Sequence, residues 1–454
     1  MDALSLLPRC AVAALVLFAG VDAGRTRVLA ALEEFDRLSS REMWPGFEPA
    51  GIPLEIFDGR RTWLVRHPAP PSEFTVSSER ADTRFVEGRH ASMRSNTSIE
   101  LDGVPTATAS FEGRSEDAPH LAALLFHEAF HVFQALRHPK WGGNEVDLFL
   151  YPVEDAEALG LRRLESAALE RALAAGSGPG AAAWAARALE IRRERFRLLP
   201  AAAAAYERGS ELKEGLARYI EAQVAGPGSI LFPRAEFPSG AIRDRAYVSG
   251  CAMALLLDRL NHGWKPRLEE KDDVALDELL GRAVSGVSPN DFRAGETVRA
   301  ARRARRDVAA EIARLALLRR EFLEAPGWKL VVEAGGPLFP QNFDPLNVER
   351  LSPSEVLHTR WIKLGNASGA LEVLGRRCLT ESAGKHPLFE GVRRATVTGL
   401  SSAPRIEESD GAVRLSEKGL TLVFRDARVF RSGQTVTITL RTQREATRAD
   451  PSLR

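Results

Sequence analysis

The sequence predicts an α+β protein: a mainly helical region with a small β part ahead of it, then an all-β, sandwich-like C-terminal region. Three observations carry this. Between about residues 118 and 323, apolar residues recur every three or four positions in long segments rich in Ala and Arg, the period and composition of helix. Ahead of them lie four short segments that alternate apolar and polar residues. After Pro326-Gly327 come seven more, separated by Gly, Pro, Asp and Ser, the signature of half-buried strands. The 454 residues, 44% hydrophobic and 27% charged, suffice for two or three domains. A net charge of +1 gives no field that would select nucleic acid.

The chain opens on an apolar run from Cys10 to Val21, preceded by Arg9 and followed by Val21-Asp22-Ala23 before Gly24. A short apolar core with a small-x-small end reads as an export signal covering residues 1–23. Twelve apolar residues are too few to cross a bilayer comfortably, although an uncleaved anchor or a buried helix stays open. The expected location is secreted or periplasmic, with no integral span once the signal is removed. Cys251 and Cys378 remain after it. Cys251 lies in an apolar helical run, so a buried free thiol is expected there, with a disulfide to Cys378 as the alternative.

A helix is expected near Arg25–Leu38, then strands at Leu54–Phe57, Thr62–Arg66, Ser92–Leu101 and Thr106–Phe111, the last two joined by an Asp102-Gly103 hairpin turn. Asp117-Ala118-Pro119 starts the next helix and Pro139 stops it. Further helices are expected at Val153–Ala175, up to Leu199, Ala201–Ala225 and Arg243–Leu260, broken by Gly176-Ser177-Gly178, Pro200 and Gly226-Pro227-Gly228. A charged helix runs from Ser288-Pro289 to about Leu323; its Arg299–Arg306 stretch reads as a solvated face, because no aromatic residues interleave it. The strands then expected are Trp328–Ala334, Val356–Leu364, Ala370–Leu374, Arg393–Leu400, Ala412–Leu415, Leu420–Phe424 and Thr435–Leu440. Two domains follow, 24–325 and 326–454.

The chemistry concentrates in Leu124-Leu125-Phe126-His127-Glu128-Ala129-Phe130-His131-Val132-Phe133-Gln134. This is H-E-x-x-H inside an otherwise apolar helix. Residues at i and i+4 lie about 40° apart around the axis, so both imidazoles reach one Zn²⁺ and the glutamate between them can serve as a base. Leu125, Ala129, Val132 and Leu136 form one apolar stripe and Phe126, Phe130 and Phe133 a second. Most of the circumference is therefore buried, and buried histidines need a partner, either a metal or backbone carbonyls. A catalytic zinc needs a third protein ligand. Glu214, in Glu211-Leu212-Lys213-Glu214-Gly215-Leu216-Ala217-Arg218-Tyr219, is the leading candidate, beside small residues that would let two helices approach. Glu165, Glu157 and Asp155 are the alternatives. His138 lacks the spacing of a third histidine ligand and reads as a helix C-terminal cation.

H-E-x-x-H followed downstream by E-G-x-A-x-Y resembles the gluzincin, thermolysin-like zinc metallopeptidases. The resemblance covers about residues 90–260, and firmly only the two motifs. It implies a zincin-like catalytic domain with zinc held by His127, His131 and Glu214, Glu128 as general base, and a peptide or protein substrate. The long spacing between the motifs departs from compact members and implies a helical insertion at about 140–206. Such enzymes often steady the oxyanion with a Tyr or His. Tyr247 is the candidate here, with Tyr219, more suited to the core, and His262 behind it. The resemblance also suggests that the strand ending at Ile99 pairs with a substrate backbone, unless it is an ordinary hairpin. The expected function is an exported zinc metallopeptidase. The alternatives are a catalytically degenerate zinc-binding envelope or interaction protein, and a zinc hydrolase of non-peptide amides.

Overall fold

The computed structural model describes residues 24–93, 96–226, 228, 232, 236–345 and 347–441. The predicted signal (1–23) and the Ser95 end of one predicted strand lie outside them. The chain is α+β, with a helical region followed by an all-β one. It divides into two compact units. The first holds the described residues up to Asn144 with Asp155–Ala304; the second holds Glu145–Glu154 with those from Arg305 onward. The strand texture begins where the sequence changes, near Trp328. The packing division falls earlier, within one long helix, and transfers a ten-residue segment to the β unit because Phe149 is buried in that unit's core.

In the first unit, helix α1 (24–38) precedes a six-stranded sheet. Its strands are β1 (Leu54–Phe57), β2 (Arg61–Val65), β3 (Thr75–Val76), β4 (Thr83–Glu87), β5 (Thr97–Leu101) and β6 (Val104–Ser110), in the order β3-β4-β2-β1-β6-β5. β1 and β6 run parallel and the other neighbours antiparallel. The Asp102-Gly103 turn is a two-residue hairpin with positive φ at both positions, 46° and 78°, which Asp and Gly tolerate best. β3 and β4 escape a sequence reading because charged residues surround Phe85 and blur the alternation; pairing with β2 makes the strand.

Helix α2 (Ala118–Arg137) lies on this sheet. Asp117 caps it by accepting from the His120 N–H, and Pro stands in the first turn. Leu121, Ala122, Leu125, Phe126 and Ala129 join Leu54, Ile56, Trp63 and Ala107 in one core. Phe130 meets Trp44 and Phe47 edge-on. Leu136, expected on the buried stripe, is 68% exposed, because the last turn runs past the core.

The remaining helices of this unit are α4 (Ala156–Ala174), α5 (Pro179–Leu198), α6 (Ala201–Ser210), α7 (Leu216–Ala225), α8 (Ile242–Leu260), α9 (Trp264–Glu270) and α10 (Leu276–Ala283); the short α3 (Glu145–Leu148) belongs to the second unit. The helix predicted for Ala201–Ala225 is interrupted by a π-helical turn, Glu211–Gly215. Helix α11 (Ala294–Leu323) starts later than Ser288-Pro289 suggests, since the Asn290 N–H bonds to the Ala183 carbonyl and holds that segment against α5.

The second unit contains β7 (Trp328–Phe343), β8 (Val348–Ser352), β9 (Glu355–His358), β10 (Trp361–Asn366), β11 (Gly369–Leu374), β12 (Cys378–Ser382), β13 (Val392–Leu400), β14 (Glu407–Ser409), β15 (Ala412–Glu417), β16 (Leu420–Arg425), β17 (Ala427–Ser432) and β18 (Thr435–Leu440). β7 continues through Gly335-Gly336-Pro337, where the sequence reads as a strand end. Its first half pairs with β13 and β18, and its last residues pair with β10. The Gly-Gly-Pro segment is therefore a bend at which one strand passes between two sheet segments. Leu330 and Leu338 of β7, Val397 of β13, Leu371 of β11, Leu422 of β16 and Ile438 of β18 share one core. Cys251 and Cys378 are both free and buried, one in each unit.

His358 on β9 is fully buried. Its Nε2 donates to Thr380 Oγ1 at 3.3 Å, and Nδ1 has no partner. Burial pulls its pKa from 6.5 down to about 3. The folded chain therefore stays unprotonated here while the unfolded chain takes up a proton. Stability should be full above pH 6.5 and fall as pH drops from 6.5 towards 3, by up to about 1.4 kcal/mol per pH unit. Calorimetry of the full chain against pH should show this slope flattened in His358→Leu. An unchanged slope would refute the assignment.

Candidate metal centre

Two helices carry the centre and a third closes it. α2 presents His127 and His131 one turn apart, and both are buried, at 6% and 7% exposure. The π-turn presents Glu214. His127 Nε2 lies 3.1 Å from His131 Nε2, and Glu214 Oε2 lies 3.2 Å from His131 Nε2. The ligand atoms of all three residues fall within 4.8 Å of one another.

The other ring nitrogens show which atoms face inward. His127 Nδ1 meets Glu221 Oε2 at 3.2 Å, and His131 Nδ1 meets Gln134 Oε1 at 2.9 Å. An N–H at each Nδ1 satisfies those oxygens and leaves the Nε2 lone pairs pointing at each other and at a carboxylate. His131 Nε2 thus faces two lone-pair-bearing atoms, at 3.1 and 3.2 Å, that repel it unless positive charge lies between them. Ligands bound at about 2.0–2.1 Å in a tetrahedron stand about 3.3 Å apart, so the donor set and these two distances fit zinc.

A proton on the histidines would meet the same need for positive charge. Burial opposes ionisation of Glu214, yet the hydrogen bond and charge that His131 supplies when protonated, with a hydrogen bond from Tyr247, hold its pKa at about 2. Burial also works against a charged His127, but Glu221 and the neighbouring carboxylates outweigh it and raise its pKa. Glu128 is 4% exposed, and its Oε2 has no hydrogen-bond partner in the protein. Burial lifts its pKa above the usual carboxylate value, with the histidines opposing the rise.

Tyr247, on α8, hydrogen-bonds to Glu214, and its ring stacks on His127 at 5.9 Å and 10°. Burial, then the negative charge of Glu214, raises its pKa, so the phenol keeps its proton. Its position depends on backbone contact between α8 and the π-turn. A Cβ added to Gly215 would sit 2.6 Å from Gly250 Cα, and one added to Gly250 would sit 2.6 Å from the Glu211 carbonyl. The small residue beside Glu214 thus serves the approach of α8, where the sequence suggested an approach to the histidine helix.

The other candidates have different surroundings. Glu165 lies in a buried ion cluster with Glu207, Glu211, Arg192, Arg195 and Arg245, each at most 2% exposed. It accepts from Arg192 Nε at 2.9 Å, Arg195 Nε at 2.9 Å and Arg245 Nη2 at 2.7 Å. Asp155 caps α4, and Glu157 is exposed. His138 ends α2 and pairs with Glu269 at 2.9 Å and Asp272 at 3.1 Å. Tyr219 is buried and donates to Asp258 at 2.6 Å, while His262 is exposed. β5 is the edge strand of its sheet and packs beside α2.

Sequence reasoning missed Glu221 and Gln134. Glu221 stands two helical turns beyond Glu214, and Gln134 one turn beyond His131, so helical spacing could have placed both on the site's face. No family model, curated protein or solved structure matches the chain. Among the described residues, no helix is long and apolar enough to cross a membrane.

Proposed function

We propose that this protein is an exported zinc-dependent metallopeptidase. The observation that carries the reading is the convergence of His127 Nε2, His131 Nε2 and a Glu214 oxygen, with both Nδ1 atoms engaged elsewhere and the buried Glu128 adjoining them in sequence. Zinc held by these three residues supplies Lewis-acid activation of water and of the scissile carbonyl. Glu128 accepts the proton of the attacking water and returns it to the leaving amine; its raised pKa suits both transfers. The Tyr247 hydroxyl keeps its proton and, on turning from Glu214, donates it to the oxygen on which negative charge develops. Glu221 and Gln134 hold the imidazoles in the tautomer the site needs. Peptide bonds are the proposed substrate on the resemblance to gluzincins, and an extracytoplasmic location on the N-terminal signal-like sequence.

Elemental analysis of the purified chain should find one zinc per chain, and none in the His127→Ala, His131→Ala double variant. Unchanged zinc in that variant would end the proposal. Cleavage of a mixed peptide library then tests the activity.

A further inference from the structure

The side chain most economically placed in this site is not a ligand. Gln134 is 2% exposed and stands one turn beyond His131 on α2. Its amide nitrogen donates to the Leu212 carbonyl at 3.0 Å and the Lys213 carbonyl at 2.9 Å. Two carbonyl acceptors on one side settle which way the amide faces: nitrogen to the carbonyls, oxygen to the ring. Oε1 therefore meets His131 Nδ1 as an acceptor at 2.9 Å, and Nδ1 must carry the proton. The two carbonyls belong to the π-turn, where the regular i→i−4 ladder is broken and backbone oxygens become available to outside donors. Glu214 is the next residue after Lys213.

We infer that Gln134 is a positioning residue that couples the two halves of the metal site: its oxygen fixes the His131 tautomer, and its nitrogen ties down the π-turn that presents Glu214. One planar amide thus sets the second ligand's lone pair and the third ligand's backbone at once. Nothing else described at the site bonds to both α2 and the Leu212-Lys213 carbonyls. The inference rests on the zinc reading for its metal consequence, but the tautomer it predicts does not depend on a metal.

The test compares wild type, Gln134→Leu and Gln134→Glu. Zinc affinity is measured by competition with a chelator, and the His131 tautomer by nitrogen NMR of histidine-labelled, zinc-free protein. Loss of a residue that orients a ligand should lower zinc affinity about 10- to 100-fold in both variants. Gln134→Glu keeps an acceptor for Nδ1–H but has no N–H for the carbonyls, so it should keep the tautomer. Gln134→Leu should lose the tautomer as well. If Gln134→Leu melts too low to assay, the combination of weakened zinc and retained tautomer in Gln134→Glu carries the test. Zinc affinity within about threefold of wild type in every variant that folds, or an Nε2–H tautomer in wild type, would overturn the inference. A wild type that binds no zinc, yet shows the Nδ1–H tautomer lost in Gln134→Leu, would overturn the zinc reading and still support Gln134 as the residue that sets the ring.

Discussion

Glu128→Gln is expected to keep zinc and thermal stability while losing peptide hydrolysis by a factor of about 10² or more. The substitution keeps the volume and one acceptor oxygen but cannot take up a proton at neutral pH. Glu128 makes no hydrogen bond through Oε2, so its replacement breaks none there. Burial disfavours a charge on Glu128, so a neutral amide of the same size removes that cost. The loss should therefore appear in kcat with metal content unchanged. Tyr247→Phe should reduce activity less, because it removes a single donor and leaves the ligand set whole. Full activity in Glu128→Gln, on a substrate the wild type cleaves, would refute the mechanism. A wild type with full zinc that cleaves nothing in a broad library would favour an interaction protein instead.

The second large effect separates two glutamates that the sequence left in competition. Glu214→Ala should abolish tight zinc binding while the fold survives, since Glu214 is a ligand candidate at the edge of the core with Tyr247 as its other partner. Glu165→Gln should do the reverse. Burial opposes a charge on Glu165, but the fields of Arg192, Arg195 and Arg245 keep its pKa far below the ordinary carboxylate value. Removing that charge leaves three buried guanidiniums facing Glu207 and Glu211, with Asp277 4.0 Å from Arg192. Breaking a buried ion pair by deleting one partner destabilises by about 3–5 kcal/mol. Denaturation should thus shift strongly in Glu165→Gln, while the folded fraction still binds zinc. A Glu165→Gln protein that melts like wild type but has lost its zinc would reassign the third ligand.

Much of this protein is determined locally and can be read from the chain alone. The limits of α2 follow from Asp117, Pro119 and Pro139, and its H-E-x-x-H face follows from helical geometry, because residues four apart project together whatever the helix packs against. The Asp102-Gly103 hairpin follows from the φ angles those residues tolerate. Most strands after Trp328 follow from alternation, since one face of each must reach a core.

Tertiary structure decided what depends on a partner distant in sequence. The ion cluster joins Glu165, Arg192, Glu211 and Arg245 from four different helical segments, and nothing local distinguishes these charges from solvated ones. The π-turn at Glu211–Gly215 has no local sign; it forms where the backbones of Gly215 and Gly250 touch and Gln134 reaches two carbonyls. The passage of β7 through Gly335-Gly336-Pro337 is decided by pairing on either side, which overrides the turn chemistry of those residues. Helix and turn preferences act over a few residues, and a sequence displays them directly. Which buried charge or lone pair is satisfied, and by what, depends on contacts between residues that only the folded chain brings together.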